Sequence, residues 1–113
     1  MTVADELVPV CPESALQPER GVAALLRDGT QLAVFRTFEG DVHALGNVDP
    51  FSGAAVLSRG IVGDRDGVPV VISPVYKQAF DLRTGRCLDD PGVSVPVFDL
   101  RCADGMIRVV APS

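Results

Sequence analysis

The sequence predicts an all-β fold, because short apolar segments alternate with turn signals along the whole chain. Asp-Gly, Glu-Gly and Thr-Gly pairs, which favour turns, recur at short intervals. Between them lie segments rich in Val, Ile, Leu and Phe, the residues that strands prefer. No stretch of ten or more residues combines a helical apolar period with freedom from Gly and Pro, so no long helix is expected.

The predicted strands form a series of hairpins. Asp28-Gly29 is expected to make the tight turn between the first two strands, because Asp-Gly suits a turn in which both central residues have φ > 0. Asp66-Gly67 and Asp104-Gly105 are expected to join two later hairpins, and residues 11–16 are compatible with a single helical turn. The predicted strands, in order, are 21–26, 31–37, 41–45, 61–64, 68–72, 97–101 and 106–110.

Two long loops interrupt the hairpins, at residues 46–60 and 73–78. Loops of this length inside a compact domain are usually either functional or disordered. Disorder is not expected here, because both loops carry apolar side chains. These are Phe51, Val56, Leu57, Val75 and Tyr76. We therefore expect the two loops to pack on each other at one end of the barrel.

Composition restricts the class of function. The 113 residues suit one domain, and the net charge of −5 argues against nucleic acid or an anionic membrane as a partner. The three cysteines form no C-x-x-C motif, which is typical of neither a disulfide framework nor a metal site. The chain begins without an apolar signal segment, and no apolar run approaches the roughly 20 residues of a membrane span. These features predict a cytoplasmic protein.

Two proline-containing motifs in the loops resemble the cluster-binding region of Rieske [2Fe–2S] domains. Asp49-Pro50-Phe51 stands where that family has Cys-Pro-His, and Ser73-Pro74-Val75-Tyr76 stands where it has Cys-Pro-x-His. The trailing segment Phe80-Asp81-Leu82-Arg83-Thr84-Gly85 matches the family's Phe-Asp-x-x-Thr-Gly nearly letter for letter. The resemblance implies a Rieske-like two-part β-sandwich or barrel over residues 1–113, with residues 46–83 as an inserted subdomain corresponding to the cluster-binding region.

More narrowly, the chain resembles the small subunits of assimilatory NAD(P)H-dependent nitrite reductases, a group in which the cluster ligands are characteristically lost. The likeness extends over residues 8–109. It implies a large-subunit partner that carries FAD, an iron–sulfur cluster and siroheme, and that reduces nitrite to ammonium in nitrate assimilation. It also implies that this chain is a subunit of an oxidoreductase and is not catalytic on its own.

The residues at the four ligand positions, Asp49, Phe51, Ser73 and Tyr76, lack the chemistry of a Rieske site. Such a cluster needs two thiolates on one iron and two imidazoles on the other. Phenylalanine cannot bind a metal, and serine and tyrosine oxygens are poor substitutes for these donors. His43 is the only histidine, and no cysteine lies in either motif. We therefore expect no cofactor, no metal and no catalytic residue in this chain.

Without a cluster, other contacts must hold the two loops together. Phe51 and Tyr76 are expected to pack ring against ring, and Asp49 and Ser73 are expected to form a hydrogen bond. Two interpretations of the aromatic pair stay open, a purely structural plug and a docking surface for a partner. The candidate docking residues are Phe51, Tyr76, Lys77 and Gln78.

The expected function is a non-catalytic interaction subunit that docks on the nitrite reductase large subunit and stabilises or tunes it. Two other classes of function remain open. One is a Rieske-type ferredoxin that transfers electrons through an unconventional cluster. The other is an interaction module of a different reductase or oxygenase. Iron analysis of the purified protein tests the ferredoxin alternative. The identity of the neighbouring gene tests whether the chain serves a different reductase or oxygenase.

Overall fold

Ten strands within residues 6–111, the part of the chain that this computed structural model describes, form three antiparallel sheets. The strands are β1 (Glu6–Pro12), β2 (Arg20–Leu25), β3 (Gln31–Arg36), β4 (Val42–Gly46), β5 (Ile61–Arg65), β6 (Val68–Ile72), β7 (Ala79–Asp81), β8 (Val97–Phe98), β9 (Leu100–Ala103) and β10 (Met106–Ala111). The first sheet has the order β1-β10-β9, the second β2-β3-β4-β8 and the third β5-β6-β7. Two short 3₁₀ helices cover Glu13–Ala15 and Leu57–Arg59. Within residues 6–111, no helix has the length and apolar character of a membrane span.

The second sheet is the centre of the fold because its strand β3 is buried on both faces. Leu32 and Val34 of β3 pack in a core shared with the first sheet, and Ala33 and Phe35 pack in a core shared with the third. A strand with one solvated face alternates between apolar and polar residues, whereas a strand covered on both faces needs an unbroken apolar run. The run 32–35 meets that need, since all four residues are fully buried.

The hairpins predicted from the sequence are present. Strand β2 pairs with β3, β5 with β6 and β9 with β10, all antiparallel. The first 3₁₀ helix lies within the predicted helical turn at residues 11–16. Both central residues have positive φ at Asp66-Gly67, with 54° and 86°, and at Asp104-Gly105, with 54° and 74°. Two-residue hairpin turns of this kind require that conformation.

The prediction for Asp28-Gly29 is wrong, because only Gly29 has a positive φ, of 92°. The turn has three residues rather than two. The Leu26 N–H donates to the Thr30 carbonyl at 2.9 Å, and the Gly29 N–H donates to the Leu26 carbonyl at 3.0 Å. In a three-residue hairpin loop only the last residue takes the left-handed conformation, which leaves Asp28 in an ordinary one.

The sequence did not predict β1 or β7, and it predicted one strand where the structure has two. Strand β1 contains Pro9 and Pro12, but it lies at the edge of its sheet, where a missing N–H is tolerated. Strand β7 has only three residues, all of them buried. The predicted strand 97–101 divides at Asp99, because β8 pairs with β4 while β9 pairs with β10. The chain crosses there from the second sheet to the first.

The third sheet lies within residues 46–83, the segment expected as an inserted subdomain. Its hydrophobic core extends further along the chain, since Cys87 and Val95 are buried in the same cluster as Phe80. The subdomain boundary itself stays a prediction. The three described sheets pack as layers and do not close into a barrel. The all-β, sandwich-like form expected from the sequence is therefore confirmed.

Gly85, in the turn that follows β7, has a φ of 78°, and a Cβ there would collide with the Val95 carbonyl oxygen. We expect Gly85→Ala to lower the free energy of unfolding by about 3 kcal/mol or more, because backbone strain and the collision add. Gly29→Ala is the control, since its Cβ would meet nothing within 4 Å, and it should cost only about 1 kcal/mol. Urea unfolding measures both losses, and equal losses would contradict the expectation.

Candidate functional site

The first loop, which follows β4, is held by hydrogen bonds from its buried polar residues. The Asn47 side-chain oxygen accepts from the Ser58 N–H at 2.7 Å. The Asp49 backbone carbonyl accepts from the Gly53 N–H at 2.7 Å, and one carboxylate oxygen of Asp49 accepts from the Phe51 N–H at 2.8 Å. Asp49 therefore closes a tight turn, a common role of aspartate in loops.

The second loop, between β6 and β7, forms a compact turn. The Ser73 N–H donates to the Gln78 carbonyl at 2.9 Å, and the Lys77 N–H donates to the Ser73 carbonyl at 3.1 Å. Lys77 adopts the left-handed conformation, with a φ of 65°. These bonds hold the base of the loop together while residues 74–77 remain exposed.

Asp49 and Ser73, at the two positions where Rieske domains have cysteine, are joined by a hydrogen bond. The Ser73 hydroxyl donates to the second carboxylate oxygen of Asp49 at 2.5 Å. Neither residue has exposed surface. The same hydroxyl accepts from the Val75 N–H at 3.3 Å. The hydrogen bond expected from the sequence is confirmed, and it forms a buried polar cross-link between the two loops.

The two aromatic ligand positions differ in their surroundings. Phe51 packs against the fully buried Phe80 of β7, with ring centroids 6.2 Å apart and planes inclined by 50°. Tyr76 is 59% exposed, and within residues 6–111 its ring makes no contact with Phe51. The predicted Phe51–Tyr76 pair is therefore wrong. Phe80 lies in the trailing motif, but only the pairing of β6 with β7 brings it beneath Phe51, so the sequence held no direct signal of this contact.

The candidate docking residues differ in exposure. Tyr76 and Lys77 are exposed, and the Lys77 ammonium donates to the Pro74 carbonyl at 3.0 Å. Phe51 and Gln78 are half-buried. The side-chain oxygen of Gln78 is buried and has no hydrogen-bond partner among the described residues. Only Tyr76 and Lys77 of the four residues are therefore exposed.

Two further apolar residues are exposed on the same loops. Val48 of the first loop is 40% exposed, and Val75 of the second is 42% exposed. We call Val48, Val75 and Tyr76 the tip, because they lie on the two loops that the Asp49–Ser73 bond joins. The sequence analysis missed Val48, since a single valine in a loop carries no signal of exposure.

The side chains at the four ligand positions do not fit a Rieske cluster. They supply no thiolate and no imidazole, and the Asp49 and Ser73 oxygens already bond to each other. Cys87 is buried in the core, while Cys11 and Cys102 lie in strands of the first sheet. In the described part of the chain, no group of three or more His, Cys, Asp or Glu side chains could hold a metal ion.

The segment after β7 forms a tight turn beside the site. The Asp81 carboxylate accepts from the Arg83 N–H at 2.8 Å and from the Arg83 guanidinium at 3.1 Å. Burial raises the pKa of Asp81, but the hydrogen bonds and charge of Arg83 outweigh burial and hold that pKa below its usual value. Asp81 is therefore a charged, structural residue at neutral pH.

His43 lies on β4, outside both loops. Burial lowers its pKa below the ordinary value of 6.5, and Arg83 acts in the same direction, while Asp41 and Asp81 act against them. The imidazole is therefore neutral at pH 7. It lines a cavity of about 270 Å³ together with Asp99, away from the four ligand positions.

Known proteins resemble this chain in both sequence and fold. The chain matches the family of Rieske-like [2Fe-2S] domains over residues 6–110. It is 41% identical over 101 residues to the nitrite reductase (NADH) small subunit of Escherichia coli strain K12, covering 88% of this chain and 93% of that subunit. It superimposes with a TM-score of 0.93 on the crystal structure of a proposed NADH-dependent nitrite reductase small subunit from Mycobacterium tuberculosis, at 54% identity over 98% of this chain and 99% of that one. The nitrite reductase [NAD(P)H] large subunit of Klebsiella oxytoca is 41% identical over 100 residues, which is 88% of this chain and 10% of that subunit.

This chain belongs to the family of Rieske-like [2Fe-2S] domains. Within that family it is homologous to the small subunits of NADH-dependent nitrite reductase. The resemblance that the sequence motifs indicated is thus confirmed over almost the full length of the chain.

We expect Ser73→Ala to lower the free energy of unfolding by about 1–3 kcal/mol, because the buried Asp49 carboxylate loses a donor and cannot reach water instead. Ser94→Ala, at an exposed serine, is the control and should cost less than about 0.5 kcal/mol. Urea unfolding of both variants measures the difference. A double-mutant cycle with Asp49→Ala isolates the coupling between the two side chains, and a coupling energy near zero would contradict the cross-link.

Proposed function

We propose that this chain is the small subunit of a nitrite reductase and acts as a non-catalytic docking module without a cluster of its own. Homology over 93% of the Escherichia coli small subunit supports the nitrite reductase assignment. The observation that carries the docking role is the buried Asp49–Ser73 hydrogen bond, at the positions where a Rieske domain has its two thiolates. We infer that a domain with these side chains at the ligand positions acts by binding its partner and not by electron transfer. In this role it stabilises or tunes the subunit that reduces nitrite to ammonium with NAD(P)H.

The partner we propose is the large subunit of nitrite reductase, with its FAD, iron–sulfur cluster and siroheme. The Klebsiella oxytoca large subunit supports this choice, because it contains the matching 100 residues within its own longer chain. Fusion places two modules at a high effective concentration and favours a contact between them. In this protein the same contact would form between separate chains. The cytoplasmic location expected from the sequence stays a prediction.

The tip is the docking surface we propose. Its apolar side chains lie on two loops that a buried hydrogen bond holds in place, so little conformational freedom is lost on binding. Tyr76 is the proposed anchor, because tyrosine is enriched among the residues that dominate binding energy. Lys77 adds a positive charge beside it. Phe51 supports the first loop from below through its packing on Phe80.

We expect the chain, purified without oxygen, to contain no stoichiometric iron and no visible absorption of an iron–sulfur centre. The reason is the donor set, which supplies neither thiolate nor imidazole. A variant with Asp49→Cys, Phe51→His, Ser73→Cys and Tyr76→His restores these donors and serves as the reference sample after reconstitution. Stoichiometric iron and colour in the unaltered chain would instead favour the ferredoxin-type function.

We expect the tagged chain from nitrate-grown cells to co-purify with a chain that contains flavin and siroheme. Tyr76→Ala should weaken this binding at least about tenfold, or about 1.4 kcal/mol, with an unchanged Tm because the side chain is 59% exposed. Leu25→Ala is the control, since Leu25 is 67% exposed on β2. Absence of such a chain contradicts the partner, and a lowered Tm with unchanged binding supports a purely structural role of Tyr76.

A further inference from the structure

The outer edge of β2 carries backbone groups that no described residue pairs. Strand β2 lies at the end of the second sheet, and its only strand partner in the described fold is β3. The Leu26 N–H donates to the Thr30 carbonyl, so Leu26 directs its backbone groups towards β3. Residues along an antiparallel strand direct these groups alternately to one side and the other. Gly21, Ala23 and Leu25 therefore direct their N–H and carbonyl groups outward.

The pairing of β3 with β4 supports these directions. Gln31 is the register partner of Leu25, and its carbonyl accepts from the Asn47 N–H at 3.0 Å, on the side of β4. The N–H and carbonyl of one strand residue point to the same side, so Gln31 forms no ladder bond with Leu25. Ala23 is exposed and Leu25 is 67% exposed. This part of the edge is therefore open to solvent.

Strand β2 lacks the features that protect the other sheet edges of the described fold. Native proteins use proline, charge, short strands or covering chain at such edges. Strand β1 contains two prolines, β8 has only two residues, and β7 is bridged by the segment that follows it. In β9 the Arg101 guanidinium donates to the Leu100 carbonyl at 3.0 Å, and in β5 the outward residue Val62 is buried. Residues 21–26 contain neither a charge nor a proline.

The β2 edge is complementary to itself. Two copies related by a two-fold axis at Ala23 can pair antiparallel, so that the two Ala23 residues face each other and Gly21 of each copy faces Leu25 of the other. All outward residues of β2 then form hydrogen-bonded pairs. The small residues at positions 21 and 23 let the backbones approach, and the exposed Leu25 side chain loses contact with water.

The charges beyond the strand ends favour the same register. Glu19 precedes β2 and Arg27 follows it, and both are exposed. The two residues are equally distant from Ala23 along the chain. Antiparallel pairing about Ala23 therefore brings Glu19 of each copy towards Arg27 of the other, at both ends of the contact. Complementary charge of this kind fixes the register of an interface.

We propose that two copies of this chain associate through antiparallel pairing of their β2 edges, which makes their second sheets one continuous sheet. The inference goes beyond the proposed function and does not rest on it, because Val48, Val75 and Tyr76 of the tip take no part in the contact. One strand from each copy makes a small interface, and interfaces of that size bind weakly and reversibly.

Sedimentation equilibrium of the full chain up to millimolar concentration tests the association. We expect a reversible equilibrium between monomer and dimer. Ala23→Lys should raise its dissociation constant at least about tenfold, because two like charges meet at the axis. Ala15→Lys, at an exposed alanine outside β2, is the matched control and should leave the constant unchanged. Thermal melts check that both variants are folded. A chain that stays monomeric, or an unchanged constant for Ala23→Lys, would overturn the inference.

Disulfide cross-linking tests the register. The Cα atoms of a hydrogen-bonded antiparallel pair lie about 5.5 Å apart, which suits a disulfide. In a Cys102→Ser background, which removes the exposed native thiol, Ala23→Cys should form a linked dimer under mild oxidation by glutathione. Leu25→Cys is the control, because its two copies lie about 13 Å apart along the strands, and it should cross-link at least about tenfold more slowly. Equal cross-linking of the two variants contradicts the proposed pairing.

Binding to the purified nitrite reductase large subunit distinguishes a second copy from another occupant of the edge. Ala23→Lys should bind the large subunit as tightly as the unaltered chain, because the tip is unchanged. If the isolated chain is monomeric and Ala23→Lys weakens binding to the large subunit, the edge receives a strand of that subunit and the inference is wrong. If the chain forms the dimer but binds no large subunit, the inference stands and the proposed function fails.

Discussion

Burial of strand β3, in the second sheet, on both of its faces is the constraint on which the rest of the structure depends. The buried residues Val62, Val71 and Phe80 of the third sheet share a core with Ala33 and Phe35 of β3. Burying one large apolar side chain contributes about 1.5–3 kcal/mol, so this shared core attaches the third sheet firmly. Because both candidate-site loops begin or end at strands of these two sheets, the same packing sets their distance from each other.

The Asp49–Ser73 hydrogen bond is a weaker cross-link than the metal bonds of a Rieske cluster, and other contacts compensate. A hydrogen bond to a charged group contributes about 1.5–3 kcal/mol net. Each loop is therefore supported separately, the first by the Asn47 and Asp49 turns and by Phe51 on Phe80, the second by its Ser73–Gln78 and Lys77–Ser73 bonds. These separate contacts explain how the two loops keep the arrangement of a Rieske cluster site although the side chains at the ligand positions differ.

The sequence by itself determined the all-β class, the hairpins at Asp66-Gly67 and Asp104-Gly105, the family, and the four altered ligand positions. These features follow from local pattern, turn chemistry and donor type, which need no knowledge of distant contacts. The sequence alone did not predict the form of the Asp28-Gly29 turn, because its length depends on how β2 and β3 end. It also did not predict the short strand β7.

Only the tertiary structure decided which side chains of the site touch. It placed Phe80 beneath Phe51 and left Tyr76 exposed. These relations join residues that are far apart in the chain, and they depend on how separate sheets pack. Local sequence pattern carries no record of that packing, so it specified the residues of the site but not their neighbours.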